Sequence, residues 1–190
     1  RGWFDAVLRK VPGASGFVDP MRNILGEKVE RTGVAPGIDY VNPITVSSSK
    51  NDAVMNELSA VQHGFTQPRP IQDGGVDFSE YKNANGQSAY DRWLEATSEV
   101  RVGGKTLRQS LERLVKSRQY QSLSPELLED FDSPRTREIR KVISAYRAVA
   151  KERVFREFPD LNKQTTTATR VKLALRRGES VEELLSQLQQ

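Results

Sequence analysis

Residues 100–110, "VRVGGKTLRQS", contain the Gly104-Lys105-Thr106 order that ends a phosphate-binding loop. Such a loop needs another glycine five positions before its second one, so that a tight turn aims backbone N–H groups at phosphate. Here that position is Glu99, whose carboxylate would repel phosphate. The preceding segment also has helical periodicity, whereas a phosphate loop follows a buried strand. We therefore expect no nucleotide and no other cofactor, and we interpret the paired glycines as a flexible break between two helices.

Few other residues have the chemistry that catalysis or metal binding needs. The chain has no cysteine and one histidine, so disulfides and thiolate ligands are excluded. His63 falls near the predicted end of a helix, where an imidazole interacts favourably with exposed carbonyl groups, and we interpret it as a helix-end residue. The acidic residues at 126, 129, 130 and 132 lack the glycine-bearing loop of a calcium site. We expect no catalytic residue and no metal site, so this region is predicted not to be an enzyme.

Basic residues are the strongest chemical feature of the sequence. Residues 1–100 carry 10 Lys and Arg against 13 Asp and Glu, whereas residues 101–190 carry 19 against 12. This asymmetry indicates either an acidic partner for the second half, with nucleic acid the leading candidate, or helices with solvated charged faces. Arginine dominates residues 133–157, which suits phosphate and equally suits carboxylates of a partner subunit. The residues predicted to bind DNA or a partner are Lys105, Arg108, Arg135, Arg137, Arg140, Lys141, Arg147, Lys151, Arg153 and Arg156.

The composition favours an assembly component over a compact enzyme. The apolar share of 36% is below the usual globular value, and 28% of the residues are charged. No apolar run is long enough to cross a membrane. Neither a zinc-finger spacing nor an aromatic RNA-binding motif is visible, so contacts with double-stranded DNA would reach the backbone and would be indifferent to base sequence. The chain begins with Arg1 rather than methionine, and we expect it to be part of a longer protein.

The spacing of apolar residues predicts an all-α fold. A helical body is expected over about residues 50–190. Residues 1–49 are expected to form an irregular extended arm with a short N-terminal helix, because Pro and Gly interrupt this stretch too often for long regular elements. The apolar residues of the arm indicate that it lies along a partner or along its own helical body. A separate C-terminal helical segment from about residue 133 is a further possibility for the domain organisation.

Capping and breaking residues predict where the helices of the body begin and end. The first is expected to start near an Asn51 or Asp52 cap and to stop at Gly64. The second is expected from near Ser79 to about Glu99, with an interruption at Asn85-Gly86 left open, and no β-hairpin signature is visible before it. A leucine-striped helix follows over residues 105–120. The remaining helices are expected to start at Ser124-Pro125, at Ser133-Pro134, within residues 167–178 and at Ser180, with the second of these ending at Phe158-Pro159.

Three stretches together resemble a known family: "GWFDAVLRKVPG", "NPITVSSSKNDAVMNEL" and "YDRWLEATSEVRVGGKTLRQSLERLVKSRQYQSL". They look like segments near the C-terminus of large phage and prophage polyvalent proteins, including internal virion (ejection) proteins and giant virion-packaged RNA polymerases of short-tailed phages. The similarity spans most of residues 2–123. It rests on Asn42-Pro43, Tyr90, Gly103, the run from Leu107 to Leu114, and Ser117 to Tyr120. The family often has aromatic residues after Asn-Pro, where this chain has Ile44-Thr45.

The resemblance implies a noncatalytic structural module of a phage internal virion protein, packed in the capsid near the portal and ejected into the host cell with the genome. Its implied partners are other ejection proteins, the portal and non-specifically bound double-stranded DNA, within an oligomeric assembly. Two alternatives stay open. One is an accessory helical domain of a mobile-element polyprotein whose enzymatic or toxin activity lies elsewhere in the chain. The other is a DNA-binding helical module outside any virion.

Overall fold

The computed structural model describes residues 22–28, 52–61, 65–124 and 133–177, and these are mostly helical, as the all-α prediction expects. Most of the predicted arm with its short N-terminal helix lies outside the described residues. So do His63, the acidic residues at 126, 129, 130 and 132, and the helices expected after Ser124 and from Ser180. The described helices are α1 (Ala53–Ala60), α2 (Ala89–Glu99), α3 (Leu107–Val115), α4 (Arg118–Gln121), α5 (Pro134–Glu157) and α6 (Pro159–Arg176). Two short strands, β1 (Ile71–Gln72) and β2 (Val76–Asp77), form an antiparallel hairpin.

The long helix α5 lies at the centre of the core, against α2 and α3. It begins as the sequence predicts, because the Ser133 side chain accepts a hydrogen bond from the Thr136 N–H and Pro134 occupies the first turn. Its buried residues recur every three or four positions, which places them on one face. The Trp93 indole N–H of α2 donates to the Arg147 carbonyl at 2.8 Å. The buried residues of α5 are Thr136, Ile139, Ile143, Tyr146, Ala150 and Val154.

Residues 22–28 form a turn that is packed into the helical body. Ile24 and Leu25 are buried in the core. The Asn23 side-chain oxygen accepts hydrogen bonds from the Leu25 and Glu27 N–H groups, both at 3.0 Å. Gly26 has a φ of +82° and lies so close to α2 that an added Cβ would be 1.9 Å from the Leu94 carbonyl oxygen. This described part of the predicted arm therefore lies along the chain's own helices.

The sequence shows no β-hairpin signature, and the structure nevertheless has a hairpin at residues 71–77. The chain turns through Asp73–Gly75 between β1 and β2, and Ile71 pairs with Asp77. At the tip, Gly74 has a φ of +79° and faces Ala168 of α6, where an added Cβ would lie 2.5 Å from the Ala168 Cβ. Strands of two residues are too short for an alternating pattern to be read from the sequence. This hairpin supports α6.

The helical stretch expected between Ser79 and Asn85-Gly86 is not present, whereas the interruption left open at Asn85-Gly86 coincides with a turn. α2 begins only at Ala89, with Ser88 as its N-terminal cap. The Asn83 side-chain oxygen accepts from the Asn85 and Gln87 N–H groups at 3.0 Å, which stabilises a turn in place of a helix. Helix α6 begins earlier than predicted. It starts at Pro159, directly after α5, and not within residues 167–178.

The paired glycines form a closed turn in place of the expected flexible break. Gly103 and Gly104 have φ values of +57° and +78°. Val102 and Lys105 exchange backbone hydrogen bonds of 3.0 and 3.2 Å across them. Two consecutive positive φ angles suit a two-residue hairpin turn and require residues such as glycine. The Tyr146 hydroxyl donates to the Lys105 carbonyl at 2.7 Å, which fixes this turn to α5.

Candidate basic surface

Arg108, one of the predicted binding residues, joins three parts of the chain through ion pairs. Its guanidinium donates to both carboxylate oxygens of Glu27 at 2.6 Å and to Asp52 at 2.5 Å. The hydrogen bond from Arg108 holds the pKa of Glu27 below its ordinary value, against the opposing effect of burial. Asp52 also caps α1 through the Val54 and Met55 N–H groups. Arg108 therefore has a structural role in the fold.

Arg135 likewise has internal partners. It donates to the Glu57 carboxylate at 3.2 Å and to the Leu123 and Gln121 carbonyls at 3.0 and 3.2 Å. Its guanidinium also lies 5.4 Å from the centre of the Tyr120 ring. Burial and the hydrogen bond to Glu57 raise the pKa of Tyr120 above its ordinary value. These contacts attach the start of α5 to α1 and α4.

Arg147 and Lys151 lie on the side of α5 that meets the loop before β1 and helix α2. Arg147 donates to the Thr66 carbonyl at 2.8 Å, and burial lowers its pKa. The Lys151 ammonium lies 5.5 and 5.3 Å from the ring centres of Phe78 and Trp93, within the range of cation–π attraction. Both cations are only partly exposed.

Arg153 belongs to an ion-pair network between α2 and α5. Its guanidinium lies 3.0 Å from the carboxylates of both Glu99 and Glu157. Arg92 contacts the same two carboxylates, at 3.0 and 2.7 Å. The Arg92 hydrogen bond is the main reason that the pKa of Glu157 is below its ordinary value. These two carboxylates therefore largely neutralise the positive charge of Arg153 within the fold.

The other predicted residues of α5 are exposed, but they share the solvent side of the helix with acids. Lys141 is paired with Glu138 at 2.5 Å. Glu152 is also exposed on this side, one turn before Arg156. Lys105 is half-buried at the glycine turn. Eight of the ten predicted cations thus lie along α5, where their charge is mixed with carboxylates, whereas Lys105 and Arg108 lie outside this helix. The predicted cations of α5 that are exposed, besides Arg153, are Arg137, Arg140, Lys141 and Arg156.

The end of α6 carries a denser basic surface that the sequence-based site prediction missed. Residues 170–177, "RVKLALRR", contain four cations and no acid. The four side chains are exposed, and among the described residues they have no carboxylate within ion-pair distance. The charge run is visible in the sequence, where its apolar spacing predicts only a helix. We call this set the α6 basic end: Arg170, Lys172, Arg176 and Arg177.

A cleft of about 450 Å³ opens beside the start of α3, close to the segment that resembles a phosphate loop. Four of its charged lining residues are paired with each other, with Arg22 2.7 Å from Glu95 and Arg108 2.6 Å from Glu27. Thr106 caps the Gln109 N–H, and the Gln109 side chain in turn caps the Thr106 N–H. The backbone N–H groups of Thr106 and Gln109 are therefore already bound by side chains. The start of α3 has fewer N–H groups available for a phosphate than an uncapped helix would have.

Within the four described ranges, no group of three or more acidic or histidine side chains is placed to hold a metal ion. None of the helices described there combines the length and apolarity that a membrane crossing needs. In comparisons with protein-family models, curated proteins and solved structures, no match to this chain was found.

Proposed function

We propose that this chain is a noncatalytic helical module of a phage internal virion (ejection) protein that contacts partner proteins and the backbone of double-stranded DNA. It serves encapsidation and genome ejection inside the capsid near the portal, as part of an oligomeric assembly. The sequence resemblance over residues 2–123 supports the phage assignment. The observation that carries the DNA contact is the excess of exposed cations on α5 and α6.

The physical basis of the DNA contact is charge. Double-stranded DNA carries one negative charge per roughly 1.7 Å of its axis, and exposed Lys and Arg displace the counterions that neutralise it. Contacts of this kind position a protein without reading bases. Arg137 and Arg140 lie one turn apart and Lys141 is adjacent, so the three side chains can reach neighbouring phosphates from one end of α5.

The DNA contact is tested by fluorescence anisotropy with a labelled duplex of about 30 base pairs in about 50 mM salt. The whole chain should bind, and the triple variant Arg137→Gln, Arg140→Gln, Lys141→Gln should bind more weakly by about three- to tenfold, since it loses contacts with phosphate. Glutamine preserves helix propensity. Arg147 and Arg153 are left intact because Arg147 is largely buried against the Thr66 carbonyl and Arg153 joins α2 to α5.

Circular dichroism of the triple variant provides the control, and its helix content should equal that of the wild type. No binding of the whole chain to duplex at low salt would remove DNA from the proposal and leave protein partners. The virion assignment has its own test, mass spectrometry of purified particles. Peptides of this chain should be present in the particle, and their absence would refute the internal virion role.

A further inference from the structure

The α6 basic end differs from the predicted α5 face in the balance of its charges. Four cations lie within eight residues of helix, which span about 12 Å. On α5 the exposed cations alternate with Glu138 and Glu152, and Lys141 is bound to the first of these. Among the described residues, the charge at the end of α6 is therefore more uniformly positive than that of the α5 surface.

The helix terminus explains only part of this charge. Arg176 and Arg177 lie in the last turn, where cations interact favourably with the free carbonyl groups of a helix. Arg170 and Lys172 lie a turn or more earlier, where this effect has largely decayed. All four are exposed and can meet an external anion.

We infer that the α6 basic end is the main phosphate-contact surface of this chain and that the nucleic acid it fits is a duplex. This inference rests on the proposed DNA contact and assigns it to residues outside the predicted set. Single-strand binding without sequence preference uses exposed aromatic rings on which bases stack. Every aromatic residue in the described part of the chain is buried or half-buried, so only backbone contacts are provided there. A duplex offers twice the phosphate density of a single strand to such contacts.

The apolar residues of the same segment argue against a lipid surface as the partner. Leu173 and Leu175 are 46% and 51% exposed. They project about 160° apart around the helix axis, given about 100° per residue. A helix that lies on a membrane needs its apolar residues on one face, with the cations opposite or beside them. Leu173 instead has Arg170, Arg176 and Arg177 three or four positions away on its own side.

The deciding experiment measures how duplex affinity depends on salt in two variants of equal charge. The first variant changes Arg170, Lys172, Arg176 and Arg177 to Gln. The matched control changes four other exposed cations to Gln, three on or near α3 and α4 and one in the turn before α2, for which no ion pair is present among the described residues. The control positions are Lys82, Arg113, Lys116 and Arg118.

If each of the four α6 cations contacts one phosphate, they contribute about −3.6 to the slope of log K against log salt, or about a 150-fold loss of affinity between 50 and 200 mM. The α6 variant should lose most of the wild-type slope, and the control should keep it. Wild-type protein should also bind duplex at least about tenfold more tightly than a thymidine single strand of equal length.

An α6 variant that keeps the wild-type slope would overturn this inference while the proposed DNA contact stands. Tighter binding of the single strand would overturn the assignment to duplex. No wild-type binding at about 50 mM salt would refute the proposed DNA contact and this inference together. Cosedimentation with phosphatidylglycerol vesicles that depends on the four residues, without duplex binding, would show that the surface serves lipid phosphate instead.

Discussion

Arg108 shows how a residue that was predicted to bind a partner is used within the fold. Its partners Glu27 and Asp52 lie 81 and 56 positions away in the sequence. A chain without cysteine has no disulfide to connect such distant segments, and here an ion-pair triad connects residues 22–28 to α1 and α3. The pairing could not be predicted from the sequence, because nothing local to Arg108 identifies carboxylates that only the fold brings near.

The lowered pKa of Glu27 makes the stability of the fold depend on pH in a defined direction. The pKa of Glu27 is lower in the folded state than the ordinary glutamate pKa of 4.5, so the ionised carboxylate stabilises the fold above pH 4.5. This contribution is lost as the pH falls below 4.5 and through the lowered pKa of the folded state. Glu27→Gln should lower the free energy of unfolding at pH 7 by about 1–2 kcal/mol. Urea unfolding at pH 7 and near pH 3 should show a smaller loss of stability on acidification in the variant.

Glu80→Gln is the control for this measurement, since Glu80 is exposed. It should change stability at pH 7 by less than about 0.5 kcal/mol. A Glu27→Gln protein with unchanged stability at pH 7 and wild-type pH dependence would show that the Arg108 contact contributes nothing to folding.

At the scale of elements, the local signals that begin and end helices were the most predictable part of the fold. Asp52 and Ser133 cap α1 and α5 as expected, and Phe158-Pro159 ends α5. These succeed because a cap depends on residues within one turn. The hairpin was not predictable, because strands of two residues leave no alternating pattern to read. The turn before α2 was indicated only by Asn85-Gly86, because the hydrogen bonds that the Asn83 side chain accepts are not revealed by an apolar pattern.

The hairpin tip tests whether β1 and β2 support α6. Gly74→Ala would place a Cβ 2.5 Å from the Ala168 Cβ, and it would also force alanine to a φ of +79°. Gly75→Ala introduces only the unfavourable backbone angle, because the φ of Gly75 is +92° and no atom lies within 4 Å of an added Cβ. We expect Gly75→Ala to cost about 1 kcal/mol and Gly74→Ala about 1–3 kcal/mol more, as measured by thermal unfolding.

Adding Ala168→Gly to the Gly74→Ala variant should recover part of the difference, since it removes the Cβ that the new methyl group meets. If the Gly74→Ala and Gly75→Ala proteins had equal stability, the close contact between the hairpin tip and α6 would be refuted.

At the scale of the whole molecule, one hydrophobic core joins the turn at residues 22–28 to the helices, from Ile24 to Leu161. The positive charge of the second half is visible in the sequence, and the structure divides it into two groups. Cations on the inner and lateral sides of α5 join elements, whereas those at the end of α6 face solvent. Counting charges along the chain could not separate these groups, because the difference lies in which carboxylates the fold places beside each cation.

We propose that the chain binds the phosphate backbone of a duplex and displaces its counterions. The affinity of the wild-type chain for one duplex, titrated from about 25 to 300 mM salt, measures this contact. We expect a straight line of log K against log salt with a slope of about −3 to −4 or steeper, the same for duplexes of unrelated sequence. A slope near zero, or affinity that depends on base sequence, would refute the backbone contact.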